Sequence, residues 1–166
     1  MFDEISGLPA HPLLVHAAVI FIPLQVLAGV AYAVVPFTRK YAWWTVLALA
    51  VVGPAAAFVA KESGEALEAR LIRGGMTQLT AVREHADFAG MTFWFALGLG
   101  VLMIAMVVLG RRAAPPTATD ADAAPGAGRK VISLLLAVAI VGVGAATGYY
   151  IFKTGDTGAK MVWSGL

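Results

Sequence analysis

The chain has 166 residues, of which 60% are hydrophobic and only 13% are charged, with a formal net charge of +2. A soluble domain of this size needs far more charged side chains to cover its surface, so the composition excludes an ordinary soluble protein. The sequence contains no cysteine, which excludes disulfides, thiolate metal sites, c-type haem attachment and cysteine nucleophiles.

Four apolar segments predict transmembrane helices, which we place at 12–35, 42–60, 86–110 and 131–152. Each contains a run with no Asp, Glu, Lys or Arg, and these runs are Leu13–Val35, Ala42–Ala60, Phe88–Leu109 and Val131–Phe152. A bilayer core requires about 20 apolar residues of helix, so each segment is long enough to cross. The runs lack the alternation of a barrel strand. The sequence therefore predicts an all-α, polytopic membrane protein whose single domain, 1–166, is a bundle of four transmembrane helices.

The connections between these helices differ in character. The loop 61–85 contains a stretch of helical composition, Glu65–Arg73, followed by Gly74 and Gly75, which are typical of a helix end. We therefore predict a short interfacial helix in this outer loop and a start of the third membrane helix near Thr80. The segment 111–130 is rich in Ala, Pro and Gly and is predicted to be a flexible cytoplasmic linker.

The charge distribution predicts the orientation. Two of the connections share one membrane side and together carry Arg39, Lys40, Arg111, Arg112, Arg129 and Lys130. These cations lie close to helix ends, where basic residues determine topology most strongly, whereas acidic residues predominate on the other side. We expect a multi-pass protein of the bacterial cytoplasmic (inner) membrane, with both termini outside.

The candidate functional residues fall on the outer side of this topology. They are His11, His16 and His85, with Asp156 after the fourth helix. His16 lies inside an apolar run, where an ionisable group is costly unless it has a partner, so we expect it to face the bundle interior. The simpler alternative is a neutral imidazole that donates to a backbone carbonyl or to Asp156.

Helical spacing limits how these residues can cooperate. His11 and His16 are five positions apart, about 140° around a helix, so they cannot ligate one ion as an i,i+4 pair does. Gln25 lies on the face opposite His16 and is expected to bond a neighbouring helix. No acidic residue enters the apolar runs, so a complete proton path is absent.

Two cofactor chemistries remain open from the residues. Imidazoles from the first and third helices, His16 and His85 with His11 nearby, could supply the axial ligands of a b-type haem. Alternatively, a divalent metal such as zinc or copper could be bound by His11, His16, His85 and Asp156.

Both ends of the chain resemble a known family. The segment Gly7–His16, with the sequence GLPAHPLLVH, and the segment Gly155–Trp163, with the sequence GDTGAKMVW, are similar to the bacterial membrane proteins grouped as domain of unknown function 2231. His85 also matches. The resemblance implies a four-helix membrane bundle with a kinship to four-helix b-type cytochromes, and it implies no established activity. Many members have His at the position of Asp156, and this departure weakens the interpretation as a bare metal site.

The leading interpretation of the sequence is a non-catalytic component, or an accessory subunit, of a membrane complex. The chain is small, carries small-residue helix faces such as Gly144 and Gly148, and lacks a catalytic motif, so no catalytic residue is assigned. The alternatives are a haem-binding redox protein and a metal-binding membrane protein. The expected partners are the lipid bilayer and other membrane subunits or a second copy of the chain, but not nucleic acid.

Overall fold

A computed structural model describes residues 4–5, 7–76, 79–111 and 127–163 of the protein. A two-residue antiparallel ladder, β1 (Glu4–Ile5) with β2 (Leu8–Pro9), precedes the first helix, and Gly7 lies between them at φ 81°. Everything else with regular structure in these ranges is helical. The helices are α1 (His11–Val34), α2 (Thr38–Tyr41), α3 (Trp43–Arg73), α4 (Thr80–Arg111) and α5 (Ala127–Trp163).

Four of these helices are long and apolar enough to cross a membrane, namely α1, α3, α4 and α5. The predicted fold class, an all-α bundle of four transmembrane helices, is confirmed. The helices form a ring in which α1 packs against α3, α3 against α4, α4 against α5 and α5 against α1. One end of the bundle carries the start of α1, the end of α3, the start of α4 and the end of α5, and we call it the histidine end.

The separate interfacial helix predicted in the outer loop is wrong. Residues 65–73 instead continue α3, which runs without a break to Arg73. Lys61 bonds Glu65 one turn further on, an i,i+4 ion pair that supports helix in the charged stretch beyond the apolar run. At 31 residues α3 is about 46 Å long, against a hydrocarbon core of about 30 Å. The last turns of α3 therefore project beyond the apolar layer at the histidine end.

The two predicted boundaries that flank this extension are confirmed. After α3, the amide of Gly75 donates to the Ile72 carbonyl and the amide of Met76 donates to the Leu71 carbonyl. Gly75 has φ 90°, a left-handed conformation that glycine adopts without steric cost. The next membrane helix, α4, begins at Thr80.

The core has two parts with different packing. The larger apolar cluster lies towards the end opposite the histidine end and includes Tyr32, Val46, Leu99, Met103 and Ile140. The smaller cluster lies nearer the histidine end, where the buried side chains are Ala18, Ile22, Ala57 and Ala60. Alanine predominates there, and its small side chain lets the backbones of neighbouring helices come close to the polar side chains at that end.

A buried glutamine crosses the middle of the bundle. Gln25 is fully buried, and its Nε2 donates to the Ala96 carbonyl at 2.9 Å, so the predicted bond to another helix is confirmed, although the acceptor lies on the diagonally opposite α4. Its Oε1 has no hydrogen-bond partner among the described residues and lies against Gly53, where a Cβ would overlap it. A Cβ on Gly100 would overlap the Ala50 carbonyl. The glycines thus permit α1, α3 and α4 to approach each other closely.

The end opposite the histidines carries basic anchors. Arg39 donates from Nε to the Tyr32 carbonyl at 3.0 Å and from Nη2 to the Ala33 carbonyl at 2.8 Å, which satisfies carbonyls at the end of α1. The guanidinium of Arg111 stacks 3.6 Å above the ring of Trp43. Most of the predicted flexible linker, 112–126, lies outside the described residues.

Candidate functional site

Two histidines from diagonally opposite helices meet at the histidine end. His11 is the first residue of α1, and His85 lies in the second turn of α4. Their ring centroids are 6.1 Å apart, and the ring planes are nearly perpendicular, at 86°. Both side chains are half-buried. The structure therefore brings together two imidazoles that are 74 positions apart in the sequence.

The ring of His11 is anchored by the end of α3. Its Nδ1 lies 3.0 Å from the Ala60 carbonyl and 3.0 Å from the Ser63 hydroxyl. A carbonyl oxygen can only accept, so Nδ1 of His11 carries the proton and donates it. The Ser63 hydroxyl donates its own proton to the Ala60 carbonyl at 2.7 Å and therefore acts as an acceptor for the ring.

The ring of His85 is anchored in the same way by the end of α5. Its Nδ1 lies 3.1 Å from the Thr157 hydroxyl, and the backbone of Thr154 also contacts the ring. The Thr157 hydroxyl lies 2.9 Å from the Lys153 carbonyl, to which it can donate, and this leaves its oxygen to accept from the ring. The arrangement favours the tautomer with the proton on Nδ1 of His85.

Each ring also packs against a glycine on the helix that anchors it. A Cβ built on Gly64 would lie 3.1 Å from Cε1 of His11, and one built on Gly158 would lie 3.1 Å from Cε1 of His85. Both distances are tighter than ordinary van der Waals contact. An alanine at either position would therefore require the imidazole to shift by a few tenths of an ångström.

With the proton on Nδ1, the Nε2 atom of each ring carries no hydrogen, and its lone pair is available to a ligand. Neither Nε2 has a hydrogen-bond partner among the described residues. A histidine whose Nδ1–H donates to a carbonyl or hydroxyl has the tautomer and fixed orientation typical of a metal-ligating imidazole. The described residues include no group of three or more His, Cys, Asp or Glu that could hold a metal ion. Within the described part of the chain, this site thus offers two nitrogen donors and no third ligand of these types.

The other two predicted site residues lie elsewhere. His16 is exposed on the outer face of α1, where its Nδ1 donates to the Pro12 carbonyl at 2.7 Å, so the expectation that it faces the interior is wrong. The contact that the simpler alternative predicted, a ring nitrogen bonded to a backbone carbonyl, is the one observed. Asp156 forms an ion pair with Lys160 at 2.7 Å, one turn further along α5. The histidine that faces His85 is His11, not His16.

The sequence interpretation missed the residues that hold the two rings. Ser63 and Gly64 follow Glu62, while Thr157 and Gly158 follow Asp156. Both triplets therefore read as an acid, a hydroxyl and a glycine, and each lies just after an apolar run. This repeated triplet was a detectable signal, because it recurs on the two helices that end at the same side of the membrane.

One comparison with known proteins identifies a family. No curated protein and no solved structure matches the chain. The model of the family described as predicted membrane protein (DUF2231) matches residues 7–165, which is nearly the whole chain. That match confirms the resemblance that the two ends of the sequence indicated. The chain belongs to the DUF2231 family of membrane proteins.

Proposed function

We propose that this membrane protein binds a b-type haem, with His11 and His85 as the two axial ligands. The observation that supports the proposal is the pair of facing imidazoles, each fixed through Nδ1–H with its Nε2 unpartnered. The haem would supply one-electron redox chemistry at its iron. The residues of this chain would bind the group and fix the orientation of both ligands.

The number and spacing of the donors favour haem over a bare ion. Structural zinc sites use four protein ligands, and the described residues bring only two histidines together. A porphyrin supplies four nitrogens itself and requires only two from the protein, as in other four-helix haem bundles. The centroids of the two imidazoles lie 6.1 Å apart, so both rings could reach one group bound between them.

An absorption spectrum tests the proposal. The full chain is expressed in haem-replete cells, purified in a mild detergent and analysed for haem and for metals. We expect a Soret band, and α and β bands on reduction, with one haem per chain. The double variant His11→Ala, His85→Ala should be colourless at a similar yield.

A colourless wild-type preparation that also fails to bind added haem would overturn the proposal. Zinc or copper in stoichiometric amount without porphyrin would overturn it as well, and would favour the bare metal alternative. The matched control is His16→Ala, because His16 is an exposed imidazole on the same helix and does not contact the pair.

The hypothesis of a non-catalytic subunit of a membrane complex is supported by no specific contact. An open apolar groove between α1 and α3 is lined by Leu14, Phe21, Val51 and Val59, among others. Lipid chains cover such a surface as readily as another protein does. Co-purification of a defined partner, lost when bulky polar residues replace Phe21 or Val51, would favour this hypothesis.

We propose further that the histidine end faces the outside of the bacterial cytoplasmic membrane. The basic anchors Arg39 and Arg111 at the opposite end support this orientation, since positive residues next to helix ends remain in the cytoplasm. Alkaline phosphatase fused after Trp163 should be active, and a fluorescent protein fused there should be dark. The opposite pair of results would contradict the orientation.

A further inference from the structure

The two halves of the bundle repeat one pattern of burial. Every buried residue of α1 has a buried counterpart in α4 at an offset of 74 positions, which is also the offset from His11 to His85. The buried residues of α1 are Ala18, Ile22, Gln25, Gly29, Tyr32 and Ala33, and their counterparts are Thr92, Ala96, Leu99, Met103, Met106 and Val107.

The second helices of the two halves are related in the same way. The buried residues of α5 are Ile140, Gly144, Thr147 and Thr157. Each lies 94 positions after a buried residue of α3, and those residues are Val46, Ala50, Gly53 and Ser63. The second offset is larger because α4 ends later and α5 begins earlier, relative to their counterparts α1 and α3, and because the connection between them is longer.

The residues that anchor the two histidines are also related by the offset of 94 positions between α3 and α5. Ala60 corresponds to Thr154, Ser63 to Thr157 and Gly64 to Gly158. Each ring therefore receives a carbonyl, a hydroxyl three residues later and a glycine four residues later. The two hydroxyls have both given their proton to backbone carbonyls, so each acts on its ring only as an acceptor.

We infer that the bundle consists of two equivalent helical hairpins, α1 with α3 and α4 with α5, and that Ser63 and Thr157 are the matched positioning residues of the histidine pair. Each hydroxyl holds Nδ1–H of the ring from the other helix of its hairpin and so directs Nε2 away from the anchor. A hydroxyl contact of this kind fixes both the tautomer and the rotation of a ring. The inference concerns the unliganded rings and extends the proposed haem function without depending on it.

The two halves are not equivalent in the middle of the bundle. Gln25 corresponds to Leu99, so the polar bond to the Ala96 carbonyl exists once. The pattern of burial therefore repeats along the helices, whereas this polar bond in the middle is made in one half alone. The feature that the two halves share at the histidine end is the matched set of anchors around the two imidazoles.

The test is ¹⁵N NMR of the full-length, histidine-labelled protein in the His16→Ala background, where only His11 and His85 remain. At about pH 8, above the ordinary imidazole pKa of about 6.5, both rings should carry their proton on Nδ1. Ser63→Ala should shift the signals of His11 alone, and Thr157→Val those of His85 alone. Ser63→Thr and Thr157→Ser should restore the original spectrum.

Binding of added haem provides the second measurement. Each hydroxyl deletion should weaken the affinity for haem by about 10-fold, and the two losses should agree within about threefold, as expected for outer partners of a ligating histidine. A proton on Nε2 in either ring, or a deletion that shifts both rings or neither, would overturn the inference. The predicted NMR pattern without any haem binding would uphold the inference and refute the haem proposal alone.

Discussion

The histidine end and the middle of the bundle both contain polar side chains, but the surroundings and the hydrogen bonding of these side chains differ. In the middle, Gln25 is fully buried and lies against glycine backbone, and the site has no room for another group. At the histidine end, His11 and His85 are half-buried, and each has one nitrogen tied and the other without a partner among the described residues. The difference indicates a packing role for Gln25 and supports the binding role that we propose for the histidine pair.

The largest expected effect in the middle comes from Gly100. A Cβ there would overlap the Ala50 carbonyl, which is backbone and cannot move without shifting α3. Gly100→Ala should lower the free energy of unfolding by about 2–3 kcal/mol, as overpacking does. Reversible unfolding in mixed micelles measures the change.

Gly98→Ala is the matched control for this substitution, since nothing lies within 4 Å of a Cβ at Gly98 on the same helix. It should leave the stability unchanged or raise it by up to about 1 kcal/mol. Equal losses in the two variants would mean that α3 and α4 are not in the close contact described.

At the histidine end, a glycine substitution should affect binding more than stability. Gly64→Ala and Gly158→Ala each place a methyl group against an imidazole that has to move by a few tenths of an ångström. Both should weaken haem binding by about 10-fold, because the ring orientation is disturbed. Titration of the purified variants with haem gives the affinities.

Gly155→Ala is the control on α5, because a Cβ at Gly155 meets nothing within 4 Å. It should bind haem as tightly as the wild type. A normal affinity in Gly64→Ala or Gly158→Ala would show that the close glycine contact does not orient the rings.

Replacing the buried glutamine should have a smaller effect. Gln25→Met keeps the length of the side chain while removing one hydrogen bond, and such bonds between membrane helices contribute about 0.6 kcal/mol on average. The substitution also removes the unpartnered Oε1, which offsets part of the loss. We expect a change in unfolding free energy below about 1 kcal/mol and unchanged haem binding. A loss several times larger would assign Gln25 a stronger role than packing.

The smallest effect is expected at Asp156. Its carboxylate is half-buried and pairs with the exposed Lys160 on the same helix. Such pairs contribute little to stability because water screens them. Asp156→Asn should leave both the melting temperature and the haem content unchanged. Loss of haem from this variant would return Asp156 to the candidate ligand set.

The sequence predicted the features that depend on local composition. Charge-free runs of bilayer length identified the four spans, and Gly74 with Gly75 identified the end of α3. The angle of about 140° between His11 and His16 indicated that they could not ligate one ion as an i,i+4 pair does, but not which of them faces the bundle. Which one faces inward depends on how α1 is rotated against α3 and α4, and no local pattern encodes that rotation.

The predicted end of the second membrane helix was wrong for a related reason. Its charged extension was interpreted as a separate surface helix because the apolar run ends at Ala60. The i,i+4 pairing of Lys61 with Glu65 and the packing of Ser63 against His11 keep the helix continuous instead. The anchor residues were therefore assigned to a loop, and their contacts with the rings could not be anticipated.

The most direct test of the account is the spin state of the ferric haem in three single variants. With His11 and His85 as axial ligands, His16→Ala should retain the low-spin spectrum of the wild type, whereas His11→Ala and His85→Ala should each become high-spin or lose the haem. A low-spin spectrum that survives in His11→Ala but disappears in His16→Ala would contradict the account.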